Sequence, residues 1–364
     1  MGVTMLTEFH VSGYKSLYDC TIADLQPINV FHGDNNVGKS NILEALDLFH
    51  SHFRGGIESS LSPESFSWGE RAITLRGRFE ERSGESFDAT MRFERSGERH
   101  LEGRAPEECF FYRIPARRRL EVEQKTQVGQ PLHPEGANLK ERLFWASVSQ
   151  DPEERKAFYQ VLRPLFAESP LALGTLQPVA SPGGPYDVQM ETATRSIPLE
   201  QMGSGIQQLA LLAGLIALSR AAVIAIEEPE LNLSWPTQKK LRLILQEMVN
   251  KQDVPPYQLF ISSHSPLFEF YENFYRVEMV DGRTQIARVA NMERRRIFDS
   301  VIPPSDRRAA WVHDENLVTL PPYVVATLGV RPGDLVYFLP QEERVLMLNE
   351  SDFVALTQPE DEET

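Results

Sequence analysis

Polar and apolar positions change their spacing several times along the chain, and each change marks an element. From Met5 to Tyr14 the run MLTEFHVSGY alternates, which predicts a strand with one buried face. INVFHG, ending at Gly33, is short and apolar, the pattern of a buried strand. After Gly38 the period lengthens: Ile42, Leu43, Leu46 and Phe49 recur at helical spacing in KSNILEALDLFHSHF. AITLRGRFEE and SFDATMRFER alternate again, with a Ser-Gly turn between them. Residues 96–150 are polar, irregular and scattered with Pro and Gly. RKAFYQVLRPLF predicts a helix that Pro164 should kink or end.

From residue 204 the order is plain. SGIQQLALLAGLIALSR predicts a buried helix, AAVIAIEE a buried strand ending in acid, and PTQKKLRLILQEMV an amphipathic helix with Pro236 in its first turn. QLFISSHSP predicts another buried strand, and FYRVEMVDGRTQIARVA a hairpin turning at Asp281-Gly282. Strand–loop–helix early and helix–strand–helix–strand late predict an α/β sheet that binds its ligand at the carboxyl ends of the strands.

Composition narrows the setting. The 364 residues suit two domains, or one large domain with an appendage. No apolar run is long enough to span a membrane, and MGVTMLTEFHVSGYK lacks a secretory h-region, so a cytoplasmic protein without membrane contact is expected. Two cysteines, Cys20 and Cys109, exclude a disulfide framework and read as buried thiols. A net charge of −15 argues against a surface coated by duplex DNA. Two local basic runs remain, Arg113–Arg119 (RIPARRR) and Glu293–Arg296 (ERRR), each first read as a solvated face.

GDNNVGKS fits G-x-x-x-x-G-K-[ST] between a strand and a helix. Glycines let successive backbone N–H groups point at one anion, and the helix adds its N-terminal dipole. The candidate nucleotide-binding residues are Gly33, Asp34, Asn35, Asn36, Val37, Gly38, Lys39, Ser40 and Asn41, with Lys39 on the β- and γ-phosphates and the Ser40 hydroxyl on Mg²⁺. Hydrolysis needs acids as well. Glu227 ends the apolar run of AAVIAIEE as the second candidate metal ligand, and Glu228 can polarise the attacking water. Adjacent carboxylates at a strand end repel unless a cation sits there. His264 lies past the next buried strand, where it can reach the γ-phosphate. Gly203, Ser204 and Gly205 open the long helix as a second anion-binding start, or else Ser204 merely caps it. With one phosphate loop already present, this turn predicts a site shared between two subunits.

Together these motifs resemble the ABC-type ATPase heads of the RecF, SMC and OLD families. The order is FHVSGYKSL, GDNNVGKSN, MGSGIQQL, IEEPELNL and SSHSP, over residues 1–290, and PLHPEGANLKERL resembles a segment of RecF- and OLD-like heads. The resemblance implies that Gly33–Ser40 is Walker A, Gly203–Gly205 the signature acting in trans, and Glu227 the Walker B acid. It makes Glu228 the catalytic glutamate and His264 the switch histidine. It also puts Leu231–Leu233 near the D-loop, and Lys15 and Ser16 near the nucleotide. MGSGIQ departs from LSGGQ, which leaves the serine's role to Ser204 or to Gly203 with no hydroxyl. Gln124 and Gln127 are candidates for a Q-loop. The stretch from Ser40 to Gly203 is too short for the coiled coil of SMC proteins, at about 1.5 Å of rise per helical residue. No Toprim nuclease domain follows SSHSP.

WVHDENLVTLPPYVVATLGVRPGDLVYFLPQEERVLML resembles the AbrB/MazE swapped-hairpin module, with Gly329 as a helix C-cap and Pro332-Gly333 in a turn. Asp314 and Glu315 favour dimerisation or docking over DNA reading. The expected architecture is an ABC-type P-loop NTPase head of α/β class with a mixed sheet and an antiparallel β subdomain. It spans residues 1–300, with a lid or insert at 95–200. A small AbrB-like β module at 310–356 and an acidic tail at 357–364 follow. The expected function is ATP hydrolysis with Mg²⁺ by a homodimer or higher oligomer. The resemblance implies a protein effector, a nuclease or toxin, in DNA repair or anti-phage defence, with DNA as a further candidate partner. Two alternatives stand beside it: an antitoxin-like or DNA-binding regulator carried by the tail, and a RecF-type binder of DNA ends or single strands using Arg113–Arg119.

Overall fold

The computed structural model describes residues 4–52, 61–104, 106, 110–120, 130–168, 171–180, 185–250, 255–265, 268, 273–289, 320, 322–331, 334–341 and 344–357. Two compact units separate at the Val289–Ala290 junction. The first unit runs β1 (Thr4–Tyr14), β2 (Leu17–Ile22), β3 (Ile28–His32), α1 (Lys39–His52), β4 (Ala72–Glu81), β5 (Ser86–Glu94), β6 (Arg99–Gly103) and β7 (Phe111–Ile114). It continues through α2 (Leu139–Val148), α3 (Pro152–Lys156), a π-helical turn (Ala157–Leu162) and α4 (Arg163–Ala167). Then come β8 (Thr175–Ala180), β9 (Tyr186–Glu191), β10 (Ser196–Pro198), α5 (Ser204–Ser219), β11 (Val223–Glu227), α6 (Trp235–Asn250), β12 (Gln258–Ser263), β13 (Phe274–Val280) and β14 (Arg283–Arg288).

A mixed six-stranded sheet in the order β14-β13-β3-β12-β11-β7 forms the centre. Only the β13–β14 pair is antiparallel, and Asp281 and Gly282 turn it with positive φ, as a two-residue hairpin requires. β11 and β12 are buried at every position, which is why they read as unbroken apolar runs rather than alternating ones. An antiparallel sheet, β2-β1-β4-β5-β6, packs Phe9, Leu75 and Phe79 against Phe49 and Leu46 of α1. A third sheet, β10-β9-β8, lies in the insert between the phosphate loop and α5.

Two expectations need correction. Residues 96–150 are not uniformly irregular: they hold β6, whose sequence is polar, the short edge strand β7, and α2, whose charged first turn masks its apolar face. The helix does not stop at Pro164 either. In the π turn, the Arg163 N–H bonds to the Phe158 carbonyl, five residues back, so the ladder is already re-spaced where Pro164 lacks its donor.

The second unit holds α7 (Pro322–Leu328), the hairpin of β15 (Tyr337–Gln341) and β16 (Arg344–Leu348), and α8 (Glu350–Thr357). Gly329 follows α7 with φ 65°, as a C-cap glycine should. The Arg331 N–H donates to the Asp334 carboxylate. Cys20 is buried, whereas Cys109, Gln124, Gln127, Glu293–Arg296, Asp314, Glu315, Pro332, Gly333 and the residues after 357 lie outside the described residues.

Candidate functional site

The site lies at the carboxyl ends of β3, β11 and β12, where parallel neighbours deliver the phosphate loop, the acid pair and His264 together. β3 ends at His32 and the loop runs from Gly33 into α1. Gly38 takes φ 103°, and a Cβ there would lie 2.0 Å from the Thr284 hydroxyl. A side chain at this position is excluded on both counts. The loop is braced from outside: the Thr284 hydroxyl donates to the Val37 carbonyl, and Ser16 bonds both Thr284 (2.7 Å) and Asn41 (2.7 Å). Ser16 is thus brought to the loop. Lys15, held at φ 48°, instead pairs with Glu44 on α1.

Lys39 decides the chemistry. Its ammonium is buried and donates to the carbonyls of Gly33 and Asp34, at 2.6 Å each. Among the described residues no carboxylate lies within ion-pair distance of it. Burial lowers its pKa, while Glu228, Glu230 and Asp34 act against that shift from further away. A buried cation with only neutral partners is costly, and an anion in the loop would complete it. The Ser40 hydroxyl is exposed beside it. The donor set therefore fits a triphosphate with Mg²⁺.

Glu227 ends β11 with its side chain only 11% exposed. The cation beside it is a guanidinium: Arg113 of β7 reaches its Oε1 through Nη2 at 2.5 Å and through Nε at 2.7 Å. Glu228 follows at φ 41°, an uncommon conformation for a non-glycine residue, and its N–H donates to the Ser262 carbonyl. Arg118, also buried, donates to the carbonyls of Glu227 (2.6 Å) and Glu228 (3.0 Å) and so clamps this turn. Burial lowers the Arg118 pKa to about 10 despite the acids around it. The basic run is therefore not simply a solvated face or a nucleic-acid patch. Of its four arginines, Arg113 and Arg118 turn inward to the acids, and Arg117 and Arg119 are exposed.

His264 follows β12 and is half exposed. Glu230, 4% exposed, receives its backbone N–H at 2.8 Å and faces its Nδ1 at 3.2 Å. Ser263 donates to the same carboxylate oxygen, while Glu230 Oε2 is buried with no hydrogen-bond partner among the described residues. His32, between Lys39 and His264, is kept neutral by burial, with its pKa lowered to about 4. Gly203 caps α5 without any side-chain bond, so Ser204 does not cap the helix, and both residues are exposed at an open helix start. Glu44, Glu230 and Thr284 were missed by sequence reasoning, and Arg113 and Arg118 were read only as members of a basic run, not as partners of the acid turn. The accessible signal was the apolar run FFYRIP, whose arginine breaks an otherwise strand-like pattern.

One family model, described as "AAA domain, putative AbiEii toxin, Type IV TA system", matches residues 28–268. The chain belongs to that family. Solved structures share the fold of this AAA-domain chain. The "SMC head domain from Thermotoga maritima" matches with a TM-score of 0.50 at 14% identity, over 78% of this chain and 99% of that one. The "SmcHead bound to the C-winged helix domain of ScpA" gives a TM-score of 0.55 at 14% identity, over 80% and 99%. The "Smc head domain with an extended coiled coil bound to the C-terminal domain of ScpA derived from Pyrococcus furiosus" gives 0.54 at 13% identity, over 82% and 99%. No curated protein matches the chain. The AAA-domain chain thus has the α/β fold of an SMC-type ATPase head and the character of a P-loop NTPase. No helix among the described residues is long and apolar enough to cross a membrane.

Proposed function

We propose that this chain is an ATP-hydrolysing switch of RecF/OLD-like type that pairs head to head around two nucleotides. The observation that carries the reading is Lys39, a buried ammonium held only by two carbonyls at the start of α1. In this reading the backbone of Gly33–Asn41 cradles the phosphates and Lys39 neutralises the β- and γ-phosphates. Ser40 and Glu227 hold Mg²⁺, which when bound draws charge from the leaving oxygens. Glu228 orients the attacking water. His264, steadied by Glu230, faces the γ-phosphate. Ser16 flanks the loop through its bond to Asn41, and Lys15 acts one step away by fixing Glu44 on α1.

The turn Gly203–Gly205 carries no side-chain cap, and Gly203 and Ser204 are exposed, which supports a role in closing over the nucleotide of a second copy. ATP would close such a pair and hydrolysis would open it. An effector protein, a nuclease or toxin, fits the toxin–antitoxin wording of the family description and an anti-phage or DNA-repair setting. The second unit favours a docking role like that of AbrB/MazE hairpins: Leu335, Phe338 and Val345 are exposed on and beside a two-stranded hairpin. If the tail alone carried the function, the chain would be an antitoxin-like regulator whose assembly ATP tunes.

Measuring ATP turnover separates these readings. Wild type should hydrolyse ATP, and Glu228→Gln should lose about 10²–10⁴-fold in rate while still binding it. Absence of turnover in wild type, with DNA and partners supplied, would leave the regulator.

A further inference from the structure

Four charged side chains form a chain across the site: Lys15, Glu44, Arg113 and Glu227. They come from the β1–β2 turn, α1, β7 and β11. Arg113 is shared within it. Its Nη2 lies 2.5 Å from Glu227 Oε1 and 3.1 Å from Glu44 Oε1, so one guanidinium already touches two carboxylates. We infer that Arg113 is an exchangeable counter-ion for Glu227, which it holds until a divalent cation arrives and then releases in favour of Glu44. This inference rests on the proposed nucleotide site.

Three features support the exchange. Glu227 accepts both Arg113 bonds on Oε1, so the guanidinium already neutralises the carboxylate that a divalent cation would use, and the two cations would repel each other there. Glu44 is a prepared second acceptor: Lys15 and the Tyr14 hydroxyl fix its other oxygen, leaving Oε1 for the arginine. The transfer needs only side-chain torsions, since β7 stays paired with β11 through the Arg113–Ala225 register. A guanidinium keeps its charge throughout and presents five donors, so it suits sharing between two acids better than an ammonium would. The effect is a threshold: divalent cations must displace a bound charge before the acid pair is complete.

Manganese serves as the probe, followed by electron paramagnetic resonance with and without ATP. Melting curves of each variant check that it folds. Arg113→Gln should lower the half-saturating Mn²⁺ concentration about tenfold, because the competitor is gone. Glu44→Gln should raise it, because Arg113 loses its second acceptor. Opposite shifts support the exchange. Equal Mn²⁺ affinity in folded wild type and Arg113→Gln, or shifts of one sign in both variants, overturn it. If Arg113→Gln fails to fold, Glu44→Gln alone decides: a raised requirement supports the exchange, and an unchanged one overturns it. Wild type that binds Mn²⁺ but no ATP would refute the proposed function instead, and the arm without nucleotide would still test Arg113.

Discussion

Lys39 and Arg113 are both cations near the carboxyl ends of strands of the six-stranded sheet, and they are held in opposite ways. Lys39 rests on two carbonyls, with burial lowering its pKa. Arg113 lies between two carboxylates; burial pulls its pKa down, but Glu227 and Glu44 outweigh that and raise it. The first arrangement lacks an anion and the second already has two. A buried cation with neutral partners marks a place for a ligand, whereas one between acids marks an internal tie. The same contrast separates their segments. Lys39 finds its two carbonyls within six residues, but Arg113 reaches Glu44 and Glu227 across 69 and 114 positions of sequence.

The largest expected effect tests the ligand side of this contrast. Lys39→Ala should weaken ATP binding by about 100-fold or more while leaving the melting temperature nearly unchanged or raised, since the cation has no internal acid to leave behind. Calorimetric titration with ATP and Mg²⁺ measures it, and strong destabilisation of the apo protein would erase the distinction between the two cations.

Arg118 tests the tie. Arg118→Leu should cost about 1–3 kcal/mol of stability, because the carbonyls of Glu227 and Glu228 lose their donors. Arg119→Leu, at an exposed position of the same run, should change stability by less than about 0.5 kcal/mol. Chemical denaturation of both variants tests this, and equal losses would return the run to a uniform surface patch.

Glu230→Gln sharpens the contrast at His264. The carboxylate accepts the His264 backbone N–H and faces Nδ1 at 3.2 Å, so its amide should loosen the placement of the ring and slow turnover by about tenfold, measured by steady-state kinetics, without weakening ATP binding.

A separate effect, visible only on the acid side, concerns a group with no part in the site. His50 is fully buried, stacked on Phe111 at 5.0 Å, and burial lowers its pKa to about 3. The unfolded chain takes up this proton near its ordinary value of 6.5 and the native state does not. Stability is therefore complete above that value and falls as pH drops from there towards 3, by up to about 1.4 kcal/mol per pH unit. His32, lowered to about 4, adds the same sign over a narrower window. Replacing His50 with Phe should flatten the acid side of the melting-temperature profile by about one proton.

Legibility followed distance along the chain. The hairpins β4–β5 and β13–β14, the buried strands β11 and β12, and helices α1, α5 and α6 were readable because each is fixed by its own period and turn residues. β7 was not. It is four residues long, it sits at the sheet edge, and its arginine is polar by composition but turned inward. At the site, Gly33–Asn41 announced itself by spacing, as did Glu227, Glu228 and His264 by following apolar runs. Glu44 could have been suspected one helical turn past Ser40, but nothing local distinguishes a paired glutamate from an exposed one. Glu230 is the third acid of EEPE, and only folding shows that it is the buried one facing His264.

The sequence by itself determined the phosphate loop, the acid pair and the α/β order that carries them, because backbone geometry and hydrophobic period act over a few residues. The tertiary structure decided which charges neutralise which. Arg113 and Glu227 meet only because β7 lies beside β11, and Arg118 reaches the acid turn only because that edge strand delivers it. Charge pairing depends on distance in space and on burial, and neither is written in local spacing.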